Sequence, residues 1–268
     1  MPTAEILSQG DEVVTGQIAD TNAAWLSERL LEQGFDVVRH TTVGDRMADL
    51  VAVIGEIGAR ADVCLCTGGL GPTEDDLTAE AFARAFGAPV ALDAIALEQI
   101  EERFRSMGRT MSPVNRKQAL LPQGSVRLDN DWGTAPGFAL VGGRCWFACM
   151  PGVPREMRQL WEHRVLPLLA DRFELRPGRR VILRTIGIGE SDLQATMLGW
   201  SAEGVTVGYR TKLPENHLKL WFEASVPEDE VVARVREVLE RAGRWTYTIE
   251  GLPEGVDVGV DDGGGTLA

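Results

Sequence analysis

The chain of 268 residues lacks an apolar run of 18 residues and lacks a signal-peptide pattern at its start. A membrane-spanning helix or a secretory leader would need one of these. It also lacks an excess of basic residues, since its formal net charge is −13. Non-specific nucleic-acid binding depends on basic surface that displaces counterions. These absences predict a cytoplasmic protein that binds neither a membrane nor nucleic acid.

Cysteines are few, and their surroundings argue against a metal site. Cys64 and Cys66 alternate along one apolar stretch, and Cys145 and Cys149 lie in another. No histidine is close to either pair in sequence, so core packing is favoured over zinc binding. A disulfide is not expected in the cytoplasm.

What the chain does have is a glycine-rich stretch between a predicted strand and a predicted helix, within residues 64–80. The apolar run ends at Gly68-Gly69, and glycines let backbone N–H groups approach a phosphate closely. The same loop carries Glu74, Asp75 and Asp76 and no lysine. Carboxylates repel phosphate unless a divalent cation lies between them, so the loop indicates a metal-bridged phosphate ester.

This stretch does not match the common nucleotide motifs. Gly69-Leu-Gly71 lacks the third glycine of the dinucleotide fingerprint, and no Gly-Lys-Ser/Thr follows it as in a P-loop. A structural alternative stays open, in which Thr73-x-x-Asp76 is a capping box at a helix start.

The first part of the chain alternates strands and helices. Strands are predicted over residues 4–9, 35–43 and 63–66. The alternation predicts a parallel sheet with helices on both faces, and such sheets bind ligands at the carboxyl ends of their strands. Glu12, Asp45 and Asp76 each follow a strand, so we expect them to gather at one edge.

Later stretches add a basic element, a hairpin and a helix. Asn115-Arg116-Lys117 is the compact basic element nearest these acids in the pattern, although it could be an ordinary solvated helix start. Gly142-Gly143 between two apolar runs predicts a hairpin. Pro154 opens a helix that we expect to end near Leu169.

The pattern changes after Pro177-Gly178, which reads as a linker. Beyond it, the order βαββαβ predicts a small α+β domain. The last residues are acidic and rich in glycine, which is typical of a flexible tail. We therefore predict domains over residues 1–172 and 178–251 and a flexible tail over 252–268.

Several blocks together resemble the amino-terminal portion of the CinA family, the competence/damage-inducible proteins, over nearly the whole chain. The matching motifs are Gly10-Asp-Glu12, Asp20-Thr-Asn22, Val43-Gly-Asp45, Thr67-Gly-Gly-Leu-Gly-Pro72, Asp75-Asp-Leu-Thr78, Asn115-Arg-Lys-Gln-Ala-Leu120, Gly133-Thr-Ala-Pro-Gly-Phe138 and Pro151-Gly-Val-Pro154. The first domain is also similar to the molybdopterin-binding fold of molybdenum-cofactor biosynthesis proteins. That resemblance implies a three-layer α/β domain with a mostly parallel sheet.

The second domain resembles a KH-type module. The nearest match to a Gly-x-x-Gly loop is Gly187-Ile-Gly189-Glu190, which is acidic. RNA binding through it is therefore not expected.

The family resemblance implies a metal-dependent hydrolase that splits ADP-ribose into AMP and ribose 5-phosphate, with Mg, Mn or Co. It also implies at least a dimer. Because the chain stops at Ala268, we expect it to lack the carboxy-terminal domain that deamidates nicotinamide mononucleotide in many members. The alternatives are nucleotidyl transfer on molybdopterin and a binding module without turnover.

The resemblance assigns metal binding and catalysis to Glu12, Asp45 and Asp76, although each could be a structural cap and Asp75 could replace Asp76. Asp20 and Asn22 could bind ribose hydroxyls or could simply fix the turn before a helix. The predicted substrate-binding residues are Asp20, Asn22, Gly68, Gly69, Gly71, Asp75, Asn115, Arg116 and Lys117.

Overall fold

The computed structural model describes residues 1–260, and residues 261–268 of the predicted tail lie outside the described residues. The described chain divides into two compact units. The first comprises Met1–Leu31 and Phe35–Leu175, and the second comprises Glu32–Gly34 and the residues from Arg176 onward. Across residues 1–260, every helix is too short or too polar to cross a membrane.

The first unit alternates strands and helices in its first half and ends on a hairpin followed by a long helical run. Its elements are β1 (Thr3–Gln9), α1 (Asp11–Val14), α2 (Thr21–Glu32), β2 (Asp36–Val43), α3 (Met47–Arg60), β3 (Val63–Thr67), α4 (Thr78–Phe86), β4 (Val90–Leu92), α5 (Ala94–Ser106), a 3₁₀ helix (Pro113–Ala119), β5 (Leu120–Pro122), β6 (Val126–Leu128), β7 (Gly137–Gly142), β8 (Cys145–Met150), α6 (Pro154–Leu160), a π-helical turn (Trp161–Val165) and α7 (Leu166–Arg172).

The main sheet of this unit has, in the described residues, six strands in the order β2-β1-β3-β8-β7-β6. β2, β1, β3 and β8 run parallel, whereas β7 and β6 are antiparallel to their neighbours. The predicted α/β fold with a mostly parallel sheet is confirmed. The chain leaves β1 for β2 on one side and returns for β3 on the other, so the carboxyl ends of β1 and β3 border a crevice.

Two apolar clusters cover the two faces of this sheet. Leu26 and Leu160 pack with Leu65 on one face, while Ile54 and Phe82 belong to the cluster on the other. Side chains alternate along a strand, so consecutive residues of β3 supply opposite faces. Helices therefore lie above and below the sheet, which gives the predicted three layers.

The four cysteines are buried and free, within the second cluster. Burial raises the pKa of the Cys66 thiol well above its ordinary value, and it does the same for Cys64. Neutral buried thiols behave as small apolar side chains. The packing role predicted for them is confirmed.

Two predicted boundaries shift. The hairpin forms, with Gly142 opposite Cys145, but its loop is Gly143-Arg144, one residue later than expected. The helix from Pro154 continues to Arg172 through the π-helical turn. This turn precedes Pro167, whose ring cannot fit against the carbonyl four residues earlier in a regular α-helix.

The second unit has the predicted βαββαβ order. Its elements are β9 (Arg179–Ile186), α8 (Glu190–Thr196), β10 (Val205–Lys212), β11 (Glu215–Phe222), α9 (Glu228–Ala242), a 3₁₀ turn (Gly243–Trp245) and β12 (Thr246–Glu250). The strands form an antiparallel sheet in the order β10-β11-β9-β12. Leu252 and Val258, at the start of the predicted tail, pack against the core of this unit.

Candidate functional site

A cavity of about 520 Å³ opens at the carboxyl ends of β1, β3 and β8. Its size lies in the range of small-molecule sites. It contains most of the predicted site residues: Glu12, Asp20, Asn22, Asp45, Gly68, Gly69, Gly71, Asp75 and Asp76. The strand ends thus bring together acids that lie far apart in sequence, as the parallel sheet predicts.

The loop after β3 depends on glycine. Gly68 and Gly69 have φ of +100° and +65°, in the region that disfavours other residues. A Cβ atom at Gly68 would overlap the carbonyl oxygen of Gln9, and one at Gly69 would overlap the side chains of Gln9 and Thr78. Only glycine therefore lets this loop lie against the end of β1.

Gln9 ties the strand ends together. Its Nε2 donates to Asp45 Oδ1 at 2.8 Å and to the carbonyl oxygen of Asp75 at 3.3 Å, and its Oε1 accepts from the Thr78 hydroxyl. Sequence reasoning missed this residue. The signal was present, because the polar residues Ser8 and Gln9 directly follow the apolar pair Ile6-Leu7 at the carboxyl end of β1.

Asp76 closes the glycine loop. Its Oδ1 accepts from Gly71 N at 2.7 Å, and its Oδ2 accepts from Thr73 N at 2.8 Å and from the Thr73 hydroxyl. The next helix starts only at Thr78, after Leu77, and has no side-chain cap. The bond from Thr73 N to Asp76 that a capping box requires is present, but no helix starts at Thr73. Asp76 therefore has a structural role in the loop and does not cap α4.

Asp45 and Asp11 join the loops after β2 and β1. Asp11 N donates to Asp45 Oδ2 at 3.0 Å, and Asp45 N donates to Asp11 Oδ1 at 3.1 Å. Glu12 differs, because its carboxylate lies against Gly10 and has no hydrogen-bond partner among residues 1–260.

The predicted metal ligands fit a divalent cation in chemistry but not in arrangement. Carboxylate oxygens are the ligands that Mg²⁺ and Mn²⁺ prefer. However, within the described chain no three acids, histidines or cysteines are grouped closely enough to hold a metal ion. Asp45 and Asp76 instead direct both oxygens to N–H or O–H groups of the loops. The three-carboxylate centre does not form in this arrangement, and metal binding stays a prediction.

Asp20 fixes the turn before a helix, which was one of its two alternatives, whereas Asn22 bonds instead to Thr67 of β3 and to the loop after β8. Asp20 Oδ1 accepts from Ala23 N at 2.8 Å and caps α2. Asn22 Nδ2 donates to Thr67 Oγ1 at 3.2 Å and to the carbonyl oxygen of Gly152 at 2.8 Å. Contact with ribose stays a prediction for both residues.

The basic stretch does not reach the cavity wall, because Asn115, Arg116 and Lys117 are all absent from the described lining. Lys117 Nζ donates to the carbonyl oxygens of Thr73 and Glu74 and so secures the glycine loop from outside. The residues form a 3₁₀ helix, in which positions three apart share a side. Gln118 therefore takes the inner position with Asn115 and lines the cavity.

Two buried oxygen atoms at the cavity have no partner. Ser8 Oγ and Asn22 Oδ1 make no hydrogen bond within residues 1–260, although both residues line the cavity. Buried polar atoms in folded proteins are rarely left unsatisfied. Such atoms are expected where a ligand or its ordered water completes the site.

Backbone donors also remain available. Among the residues that the structure describes, the N–H groups of Gly69, Leu70 and Gly152 have no hydrogen-bond partner. They belong to two loops in contact, since Gly152 packs against Gly68. Adjacent free N–H groups make a concave site for an anion.

The cavity is strongly acidic. Its described lining includes no lysine or arginine, and its acids are Glu12, Asp20, Asp45, Asp75, Asp76 and Glu156. The Thr73 hydroxyl, with a smaller contribution from Lys117, lowers the pKa of Asp75 below its ordinary value, so this carboxylate stays charged at neutral pH. An anion bound here would depend on backbone N–H groups or on a cation.

Sequence reasoning also omitted Thr134, Gln118 and Glu156 from the site, although each lines the cavity. They lie within or next to motifs that the family resemblance had marked. Their inward position could be known only once β7 and β8 were placed beside β3.

Comparisons with known proteins agree with this architecture. The model of a family described as "Probable molybdopterin binding domain" matches residues 5–171. A CinA-like protein of Shewanella piezotolerans is 42% identical over 245 residues, which are 89% of this chain and 57% of that protein. A CinA-like protein of Escherichia coli strain SMS-3-5 is also 42% identical, over 94% of this chain and 63% of that protein.

The chain thus spans only about three fifths of the length of these curated relatives. The predicted lack of nicotinamide mononucleotide deamidation is not tested by this difference and stays a prediction.

A solved structure is similar as well. It is a crystal structure of "the protein CinA with unknown function" from Thermoplasma acidophilum, with 30% identity and a TM-score of 0.58. The match covers 62% of this chain and 98% of that chain. Because the family model matches more than half of the residues, the chain belongs to the family of probable molybdopterin binding domains, and it is CinA-like over most of its length.

Proposed function

We propose that the cavity binds a phosphorylated small molecule of the molybdopterin type. Its phosphate would lie against the glycine loop after β3 and the loop after β8 that contains Gly152. The observation that carries the proposal is the set of N–H groups at Gly69, Leu70 and Gly152 that have no partner among the described residues and belong to two loops in contact. Membership of the molybdopterin-binding family supports the class of ligand.

A phosphate in this cavity would depend on backbone N–H groups, because the described side chains of the lining carry no positive charge. A phosphate held by backbone N–H groups needs glycines at the positions of closest approach. Gly68, Gly69 and Gly71 stand there, and a Cβ atom at any of them would overlap a neighbouring residue. Close packing thus keeps the loop in one shape before a ligand arrives.

The experiment is a binding panel that separates the phosphate from the rest of the ligand. A phosphorylated pterin, AMP, ADP-ribose and ribose 5-phosphate are each compared with the corresponding compound without phosphate. A ligand at a hundredfold excess over its dissociation constant stabilises the folded state by about 2.7 kcal/mol, which a thermal melt detects. Equal effects of a compound with and without its phosphate would contradict the proposal.

A second candidate function is hydrolysis of the pyrophosphate bond of ADP-ribose. It is supported by the acidic lining with no basic residue, since enzymes that cleave pyrophosphate commonly offset its charge with divalent cations. Incubation with ADP-ribose and Mg²⁺, Mn²⁺ or Co²⁺, followed by chromatography for AMP, tests it. Binding without AMP production, with or without metal, would leave only the binding function.

Two substitutions distinguish a role of Asp76 as a metal ligand from a role in holding the glycine loop by hydrogen bonds. A metal centre at Glu12, Asp45 and Asp76 requires Glu12→Gln to weaken turnover about as strongly as Asp76→Asn. If Asp76 acts only through its bonds to Gly71 and Thr73, Asp76→Asn impairs binding while Glu12→Gln changes little.

Light scattering on the same preparations tests the expected dimer.

A further inference from the structure

The cavity is lined by a further carboxylate, Glu156, that the proposed phosphate site does not use. Glu156 lies at the start of α6, directly after β8, whereas Asp45, which also lines the cavity, follows β2. In the order β2-β1-β3-β8, three strand spacings separate them, or about 14 Å at the usual spacing of neighbouring strands. The glycine loop after β3 lies between. A ligand with its phosphate on that loop can therefore reach Glu156 with its other end.

The Glu156 carboxylate is held in a fixed orientation. Asn130 Nδ2 donates to Glu156 Oε2 at 2.7 Å and to the carbonyl oxygen of Ala135 at 2.8 Å. Asn130 Oδ1 accepts from the backbone N–H groups of Trp132 and Gly133 at 3.1 and 3.0 Å. All four hydrogen-bonding positions of the Asn130 amide are thus in use.

Gly133 contributes by its lack of a side chain. A Cβ atom at this position would overlap the Glu156 carboxylate. The carboxylate therefore lies directly against the backbone of the loop, where it has little room to turn. Groups fixed in this way give a binding site its specificity.

Both oxygens of this carboxylate can still accept a hydrogen bond, because in the described chain Oε2 accepts only one bond, from Asn130, and keeps a second lone pair. Within residues 1–260, Glu156 Oε1 has no hydrogen-bond partner, and the described lining of the cavity has no lysine or arginine to neutralise it. An ionised carboxylate can only accept hydrogen bonds. The ligand group opposite must therefore be a donor.

The surroundings suit a flat ring rather than a sugar. Leu70, Ala135 and Pro151 line the same cavity and are nearly buried. These apolar side chains give a flat ring a surface to pack against among the polar groups of the cavity. A sugar would place hydroxyl groups against these walls without partners.

We propose that Glu156 determines specificity by accepting hydrogen bonds from the N–H edge of a 2-amino-4-oxopyrimidine ring, the group that pterins and guanine share. This ring presents two parallel N–H donors, which match the two oxygens of a carboxylate. Adenine presents one amine beside a ring-nitrogen lone pair, which a carboxylate repels. The inference rests on the proposed phosphate site and names the other half of its ligand.

The test measures the dissociation constants of GMP, neopterin phosphate, AMP and ribose 5-phosphate by titration calorimetry. Wild-type protein should bind GMP and neopterin phosphate more tightly than AMP. Glu156→Gln can still accept from Asn130 but turns an amine towards the ring. We expect it to weaken GMP and neopterin phosphate binding by about tenfold or more, since hydrogen bonds to charged groups are the stronger ones. Ribose 5-phosphate should change less than about twofold.

The matched control is Glu162→Gln, which removes one charge from an exposed position of the same helical run and should leave every affinity unchanged. If Glu156→Gln does not fold, Glu156→Asp keeps the charge and withdraws it by one methylene. That variant should lose less affinity than Glu156→Gln, and only for GMP and neopterin phosphate.

Three results would overturn the inference. They are equal affinity of the wild type for GMP and AMP, no effect of either Glu156 variant on GMP, and an equal loss for ribose 5-phosphate, which would place the sugar at Glu156. These outcomes differ from failure of the proposed function, in which wild-type protein binds none of the phosphorylated compounds and both proposals fall.

Discussion

The amino and carboxyl edges of the main sheet, where the parallel strands begin and end, use acidic side chains in opposite ways. At the amino edge, Glu5 is 1% exposed and makes a bidentate ion pair with Arg60, with distances of 2.6 and 2.9 Å. Asp62 accepts from Thr3 N and Thr3 Oγ1, each at 2.8 Å, and pairs with Arg144. At the carboxyl edge, Asp45 and Asp76 accept from neutral groups only.

Of these four acids, the two at the carboxyl ends of the strands thus keep uncompensated negative charge, and the two at the amino ends do not. Hydrogen bonds from neutral groups fix a carboxylate without cancelling its charge, whereas a guanidinium does both. The amino edge is therefore built for stability. At the carboxyl edge the negative charge and several backbone donors have no compensating partner among the described residues, a pattern that functional sites commonly show at some cost in stability.

The largest expected effect comes from breaking the buried pair at the amino edge. Arg60→Met leaves the Glu5 carboxylate buried without its partner, which should cost about 3 kcal/mol of unfolding free energy. Urea denaturation measures this loss, and ligand affinity should not change. The control Glu56→Gln removes the charge of a side chain that is 65% exposed and contacts Arg60 at 3.4 Å, and it should cost about 0.5 kcal/mol or less. A large loss of ligand affinity in Arg60→Met would show that the two edges are not separate.

At the carboxyl edge, Gly69→Ala should have the opposite pattern, with a small loss of stability and a large loss of ligand affinity. The new Cβ atom would overlap Gln9 and Thr78, and φ at this position is +65°. We expect a cost of about 1–2 kcal/mol in stability and at least a tenfold loss of affinity for the phosphorylated ligand.

The matched control for Gly69→Ala is Gly55→Ala. Gly55 is an exposed helix position with open space around it, so alanine should leave binding unchanged. If Gly69→Ala also bound the ligand with unchanged affinity, the glycine loop would not be part of the binding site.

The third effect is a pH dependence at the amino edge. The bond from Thr3 N is the largest contribution that lowers the pKa of Asp62 below its ordinary value of 3.8. On acidification the unfolded chain therefore takes up this proton before the folded chain does, so the stability from Asp62 is present above about pH 4 and is lost as the pH falls below it. Asp62→Asn should be less stable than the wild type by about 1 kcal/mol at pH 7. Urea midpoints of the two proteins should converge towards pH 3, and a constant gap would contradict the prediction.

The smallest effect is expected for Lys117→Met. Its Nζ secures the outer side of the glycine loop through two carbonyl oxygens, a contact exposed to solvent. We expect less than about 0.5 kcal/mol of lost stability and less than about a threefold change in ligand affinity, measured by the same titration. A tenfold loss of affinity would show that the lysine reaches the phosphate, as the sequence had suggested.

Local sequence was sufficient for the framework. Leu50, Ile54 and Ile57 recur at the helical period and are buried in α3 as predicted. The βα alternation specified a parallel sheet, and a parallel sheet brings Glu12, Asp45 and Asp76 to one edge whatever their contacts. These features depend on short-range periodicity and on the order of elements, both of which can be read along the chain.

What each of these side chains touches was decided only by the tertiary structure. Gln9 and Asp45 are 36 residues apart, and Asn22 bonds to Gly152 across 130 residues. A polar side chain takes whichever partner the packed backbone brings within about 3 Å, and no local pattern encodes that partner. Glu12, Asp45 and Asp76 could therefore be identified from the sequence. The hydrogen bonds of Asp76 within the loop, the outer position of Lys117 and the fixed carboxylate of Glu156 became known only from the fold.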